Sequence, residues 1–265
     1  MTAKKRSPIK EAPLPQAGES LRERRNRIWD DRIETPLVIA VFALGIAALE
    51  WWRMYFPSPP YPWAMTAIAV IAVAFLAWRM AKAIPALRQL KLAEEGERKV
   101  GQELETLREL GYEVFHDVPG PHFNVDDVLV GPAGLVCVET KTWSKPTNAE
   151  AKIAFDGETV TVSPSGWRPS RDPVGQSRAL SSWLQGLVRQ SSGREFYVRP
   201  VVLFPGWWVE QGKGTTRDIW VLEPKALKTF LAKDARRLSD EDIKLASFHL
   251  TRYVRVARRG AEDPS

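Results

Sequence analysis

Two runs of apolar residues stand apart from the rest of the chain. Residues 37–49 read LVIAVFALGIAAL without a charge, and residues 63–78 read WAMTAIAVIAVAFLAW with Thr66 as the single polar position. Both are apolar on every side rather than along one stripe, the mark of a helix surrounded by lipid or wholly buried. Counting the flanking aromatics, each approaches the roughly 20 residues a helix needs to cross a bilayer. Trp51, Trp52, Tyr55, Tyr61, Trp63 and Trp78 gather at the run ends, as aromatic side chains do at membrane interfaces. Ser58, Pro59, Pro60 and Pro62 predict a tight connection that no helix can continue. The pattern predicts a helical hairpin that spans a membrane twice. A pair of buried helices in a soluble core is the alternative, and Glu50 shortens the first uncharged run.

Beyond residue 90 the spacing becomes that of a mixed α/β domain. Residues 92–110 place Val100, Leu104 and Leu107 at helical intervals ahead of Gly111, a C-cap residue. Strands are predicted at 112–118, 125–130 and 135–143, the last two joined by a turn at Gly131, Pro132, Ala133 and Gly134. Residues 152–162 read as a second hairpin around Asp156 and Gly157. A helix over 172–190 has Asp172 as its N-cap and Pro173 at its first position. Residues 198–204 (VRPVVLF) form an apolar run fit for a buried strand, and 219–222 a shorter one. Helices follow at 224–232 and 239–258, the second opened by the capping pattern Ser239-Asp240-Glu241-Asp242. The expected architecture is a mixed sheet flanked by helices, preceded by a two-span transmembrane helical hairpin.

Composition narrows this picture. Of 265 residues, 44% are hydrophobic and 26% charged, which excludes a wholly disordered or collagen-like chain. Lys and Arg number 38 against 32 Asp and Glu, a net charge of +6 that permits nucleic acid or anionic lipid as a partner. The lone Cys137 excludes an internal disulfide and a cysteine-based zinc site. Basic residues crowd both flanks of the hairpin: Arg22, Arg24, Arg25, Arg27 and Arg32 before it, Arg79, Lys82, Arg88 and Lys91 after it, with only Arg53 in the turn. The positive-inside rule then puts both termini in the cytoplasm of a two-pass protein, here of a bacterial inner membrane. Residues 21–33 (LRERRNRIWDDRI) fit a basic amphipathic helix on the inner membrane surface or a solvated charged segment, and the stretch before them, with Pro8, Pro13 and Pro15, is expected to be disordered. The tail after Gly260 is expected to fray. The expected divisions are a basic cytoplasmic segment at 1–34, the hairpin at 35–80, a linker and helix start at 81–95, the main domain at 96–222, and C-terminal helices and tail at 223–265.

The chemistry concentrates in residues 124–145, NVDDVLVGPAGLVCVETKTWSK. If the turn at 131–134 closes the hairpin, Val130 pairs with Leu135, Val128 with Cys137, and Asp126 faces Glu139. Opposed residues of antiparallel strands hold their Cβ atoms about 4.5–5.5 Å apart on one side of the sheet, and like charges so placed repel. Lys141, two residues past Glu139, shares that side. A strand-edge Glu-x-Lys by itself is common on half-exposed strands. Two opposed acids among valines and leucines instead point to a hard divalent ion, Mg²⁺ being usual where phosphate oxygens complete the shell. Lys141 would then stand beside the attacking water or the phosphate, and the parts amount to metal-assisted phosphodiester hydrolysis.

Several motifs occur in order around this core: Gly96-Glu97 on the first helix, Val125-Asp126 before a strand, the turn at 131–134, Glu139-Thr140-Lys141 at a strand end, and Asp172-Pro173-Val174-Gly175-Gln176. With them, residues 96–221 resemble the nuclease-related domain (NERD) family, grouped with the restriction-endonuclease-like superfamily. The resemblance implies a restriction-endonuclease-like α/β fold, Asp126 and Glu139 as metal ligands for Mg²⁺ or Mn²⁺, and Lys141 as the catalytic lysine. It also implies Glu97 as an additional acid and metal ligand, and Gln176 as a helix residue facing the site. Asp127 stands where the family usually has a histidine. The function expected is a membrane-anchored, divalent-metal-dependent nuclease acting on nucleic acid, DNA before RNA, with the lipid bilayer as its other partner. The rival is an inactive nucleic-acid- or protein-binding module tethered to the membrane.

Other candidates carry less. His116, His122 and His249 lack metal-ligand spacing, and Trp143 reads as packing rather than as a base-stacking platform. The segment GWWVEQGKG at 206–214 has five residues rather than four between its first two loop glycines and no Ser or Thr after the lysine, so it is no phosphate loop. Trp207-Trp208 is expected at a strand end or against the membrane, and RYVRVARR at 252–259 as a solvated helix face.

Overall fold

A computed structural model describes residues 16–56, 62–145, 150–212 and 218–262. The expectations for residues 1–15, for the turn at 58–61 and for the tail at 263–265 fall outside these residues. The chain divides into two compact units, one spanning Ser20–Glu94 and the other holding Glu95–Ser265 together with the residues up to Glu19.

The first unit is helical. Helix α1 (Glu19–Trp29) leads through a π-helical turn (Asp30–Glu34) into α2 (Thr35–Tyr55), and α3 (Pro62–Glu105) follows. Arg22 and Arg25 of α1 both bind Glu94 of α3. Trp51 donates its indole N–H to Thr66 Oγ1 at 3.0 Å, and its ring meets Trp63 edge-on at 5.9 Å. These contacts hold the end of α2 against the start of α3 and give Thr66 a hydrogen-bond partner. Both helices are long and apolar enough to cross a membrane. Their large apolar side chains face outward: Phe42 is 72% exposed and Ile71 68%. A core helix of a soluble protein would cover them. Residues 81–95, expected as a linker and helix start, are helical throughout: α3 runs unbroken through Pro85. The strong helix formers Ala, Leu, Lys, Glu and Arg on both sides outweigh one proline.

The second unit is built on a five-stranded sheet of order β1-β2-β3-β6-β8, comprising β1 (Glu113–Pro119), β2 (Asn124–Gly131), β3 (Gly134–Thr140), β6 (Val198–Leu203) and β8 (Trp220–Leu222). The first three strands are antiparallel, while β6 and β8 run parallel to β3. One face packs on α4 (Pro173–Ser192) and α6 (Asp240–Glu262) through Val128, Val130, Leu135, Cys137, Leu184 and Leu250. The other packs on the last turns of α3 and on α5 (Pro224–Lys233) through Leu104, Leu129, Val136, Val138 and Leu227. This mixed sheet flanked by helices is the expected architecture.

Helix α3 tightens into a 3₁₀ turn (Thr106–Leu110) and stops at Gly111, whose φ of 81° is the left-handed C-cap. Asp172 caps α4 by accepting hydrogen bonds from the amides of Val174 and Gly175, and Ser239 and Asp242 cap α6 reciprocally. The hairpin of β4 (Lys152–Phe155) and β5 (Val160–Ser163) forms as the sequence predicts.

Two features differ from expectation. The hairpin does not join the main sheet: it forms a second sheet with β7 (Val209–Gln211), a strand hidden in GWWVEQG because three partly exposed residues carry no periodic signal. Strand β3 also ends at Thr140 rather than at 143. Lys141 N still donates to Leu203 O at 2.8 Å, after which the chain leaves the sheet so that Trp143 can pack on Phe204.

Candidate active site

The β2–β3 ladder has the predicted register, with Val130 opposite Leu135, Val128 opposite Cys137 and Asp127 opposite Val138. One step further along that register Asp126 stands against Glu139. Asp126 Oδ2 reaches across to accept the amide of Thr140 at 2.7 Å. Glu139 lies on the α4 side of the sheet, where Gln176 in the first turn of that helix donates to its Oε1 at 2.7 Å. Lys141 Nζ donates to the same Oε1 at 2.5 Å and to Gln176 Oε1 at 3.0 Å. Glu139 is only 4% exposed, and its second oxygen, Oε2, is buried without a hydrogen-bond partner.

Glu97 reaches the same end of the sheet from α3. Its neighbour Gly96 explains how: a Cβ built at Gly96 would lie 1.9 Å from Thr142 Oγ1 and 2.9 Å from Thr142 Cβ, so only glycine lets the helix lie this close to the chain leaving β3.

The carboxyls are strained electrostatically. Burial, then the charges of Asp117, Asp127 and Glu139, push Glu97 up to about 8. Burial, then Glu139 and Glu97, hold Asp126 well above the usual carboxylate range. Burial also raises Glu139, although Lys141 and Gln176 pull it back. Removal from water disfavours each charged form, and each acid worsens its neighbours' position.

The sequence reading missed two residues here. Asp117 is buried on β1 with φ +49°, a conformation Asp tolerates better than most side chains, and its charge acts on Glu97. The register of β1 and β2, sets His116 opposite Asp127; Nδ1 lies 2.5 Å from Asp127 Oδ1 and Nε2 3.0 Å from Glu105 Oε1. Burial alone would lower His116, but the hydrogen bond and charge of Asp127 outweigh it and raise it. Neither residue has a local motif. Only strand pairing brings them to Asp126-Asp127.

Trp143 is half-buried against Phe204 and Trp167, as packing requires. Trp207 is buried and donates its indole N–H to Trp143 O at 3.1 Å, while Trp208 is exposed. In the basic run of α6, Tyr253 and Val254 pack inward and Arg252 and Arg259 face solvent. Burial pushes the Cys137 thiol up to about 12, which leaves it unreactive.

A hard cation is the group this chemistry implies. Among the described residues no three His, Cys, Asp or Glu side chains converge into a ready-made metal cage, so Glu97, Asp126 and Glu139 do not stand as a closed three-ligand set. The donor set fits a more open arrangement. Mg²⁺ is commonly held by one or two carboxylates, with waters and phosphate oxygens filling the octahedron. The buried, unpartnered Glu139 Oε2 and the mutual repulsion of Asp126, Glu139 and Glu97 are what such an ion would relieve.

An α/β domain with buried acids at one end of a mixed sheet, a lysine ion-paired to one of them, and helices on both faces is thus defined by the geometry. Residues 92–205 match the family model described as nuclease-related domain. No curated protein and no solved structure matches the chain.

Proposed function

We propose that this protein is a membrane-anchored, divalent-metal-dependent nuclease that hydrolyses phosphodiester bonds of nucleic acid, DNA in preference to RNA. The observation that carries the reading is the buried Glu139, whose Oε1 is held by Lys141 and Gln176 while Oε2 has no partner, next to a second acid, Asp126. Asp126 and Glu139 would hold Mg²⁺ or Mn²⁺, with Glu97 as the further acid. When bound, such an ion supplies Lewis-acid stabilisation of phosphate charge and a more acidic water. Lys141, fixed by two hydrogen bonds, presents its ammonium to the charge that develops on the phosphate. Gln176 is a positioning residue that keeps Lys141 and Glu139 together. The net charge lies almost wholly before residue 96, residues 96–265 holding 24 Lys and Arg against 23 Asp and Glu, so substrate phosphates would be held by local cations such as Lys141 rather than by an overall positive field.

The anchor reading rests on the two helices with outward-facing apolar side chains and on the basic flanks of the hairpin. It places both termini in the cytoplasm and the protein in a bacterial inner membrane.

The test is cleavage of labelled single- and double-stranded DNA and RNA by the full chain in detergent, with Mg²⁺, Mn²⁺ or chelator. Divalent-dependent cleavage that disappears in Asp126→Ala, Glu139→Ala and Lys141→Ala supports the reading. Equal activity of wild type and all three overturns the site. The second reading is an inactive nucleic-acid- or protein-binding module tethered to the membrane, in which Lys141 and Gln176 serve only to neutralise and hold the buried Glu139. It predicts binding without turnover, indifferent to the three substitutions.

A further inference from the structure

Trp167 is 51% exposed, yet it is firmly mounted. Its carbonyl accepts the amide of Val162 at 2.9 Å, its own amide meets Ser165 Oγ, and its ring stands perpendicular to Trp143 at 5.1 Å. Trp143 is itself pinned by Phe204 at 4.7 Å and by the Trp207 indole. This mount joins the two segments that carry the site. Trp143 is two residues past Lys141, and the loop bearing Trp167 runs through Arg171 into the Asp172 cap and Gln176.

The two segments carry exposed cations. Arg168 and Arg171 are exposed on the segment that bears Trp167, and Lys145, two residues past Trp143, is exposed and lies 5.2 Å over the Trp207 ring. No Asp or Glu occurs in residues 160–171 or 140–145. An exposed tryptophan alone is unremarkable. A rigid one, flanked by cations and continuous with acids suited to phosphodiester chemistry, has the parts of a single-strand platform: an aromatic face for a base and positive charge for its phosphates.

Resting on the nuclease reading of the neighbouring site, the geometry points to Trp167 as a base-stacking platform. It holds an unpaired nucleotide beside Glu139, Lys141 and Gln176, so that single-stranded nucleic acid is the preferred substrate class. A duplex hides its base faces within the stack and cannot use this ring. Stacking does not read the sugar, so single-stranded DNA and RNA of one sequence bind alike at Trp167.

The test uses the full chain in detergent with excess chelator, so that binding is read without cleavage, by fluorescence anisotropy of a labelled single-stranded oligonucleotide and of the duplex of the same sequence. Wild type binds the single strand more tightly. Trp167→Ala weakens single-strand binding about 5- to 100-fold, the range of a base–aromatic stack, and leaves duplex binding unchanged. Trp167→Phe retains most of the affinity. Trp167→Leu, which keeps apolar bulk against Trp143 but cannot stack, loses as much as Trp167→Ala and guards against misfolding as the cause. Equal wild-type affinity for both forms, or unchanged single-strand affinity in Trp167→Leu, overturns the platform. Cleavage without single-strand preference defeats the platform alone, whereas Trp167-dependent binding without cleavage defeats the nuclease reading alone.

Discussion

Lys141 and Gln176 lie 35 positions apart in the chain and meet at 3.0 Å, each also donating to Glu139 Oε1. The triangle occupies one oxygen of Glu139 fully and leaves the other free of protein partners. Gln176→Ala is therefore expected to lower cleavage by about 10- to 100-fold, the usual cost of removing a partner that orients a metal-site group. Gln176→Glu is expected to lower it as well, because a fourth acid beside Glu97, Asp126 and Glu139 would compete for Lys141. Single-turnover rates of both variants, with thermal unfolding to confirm the fold, check this.

Asp126→Asn keeps an oxygen to accept the Thr140 amide but removes a charge buried among acids. It is expected to abolish divalent-dependent cleavage and to raise the metal-free melting temperature by about 2–4 °C, the shift that about 1 kcal/mol gives in a domain this size. Thermal unfolding in chelator measures the second effect, and a lower melting temperature would count against the repulsion described.

The raised acids also set a pH dependence. A carboxyl whose folded pKa lies above its unfolded value favours folding when protonated. Its contribution is complete below the unfolded value and is lost as pH rises through the folded one. For Glu97 the window runs from 4.5 to about 8. Metal-free protein is expected to lose stability from these groups across that window, at most about 1.4 kcal/mol per pH unit for one proton. Mg²⁺ should restore more at pH 8 than at pH 5. Unfolding midpoints at both pH values with and without Mg²⁺ test it, and an equal Mg²⁺ gain at both would contradict it.

Gly96→Ala should be destabilising although alanine is the better helix former. The added methyl meets the Thr142 side chain as far in as its Cβ, so the helix must move. An overpacking cost of about 1–3 kcal/mol exceeds the about 1 kcal/mol gained in helix propensity. Because Glu97 is the next residue, activity should fall further than stability, and the double substitution Gly96→Ala with Thr142→Ala should recover part of both. Chemical denaturation and cleavage rates give the comparison.

Much of this protein is written in local pattern. Apolar runs mark the two long helices, Asp172-Pro173 and Ser239 mark helix starts, and the turn at 131–134 fixes the β2–β3 register, hence the opposition of Asp126 and Glu139. Each depends on residues within a few positions of one another, where backbone geometry leaves few choices. What only the tertiary structure decided involves groups far apart in sequence. It joined Gln176 to Lys141, set His116 against Asp127, brought Asp117 to bear on Glu97, and separated β4, β5 and β7 into their own sheet. It also made α3 continuous where a linker and helix start were expected, and left Trp167 rather than Trp143 facing outward. These outcomes follow from which faces bury against which, a sum over many weak contacts that no short stretch of sequence contains.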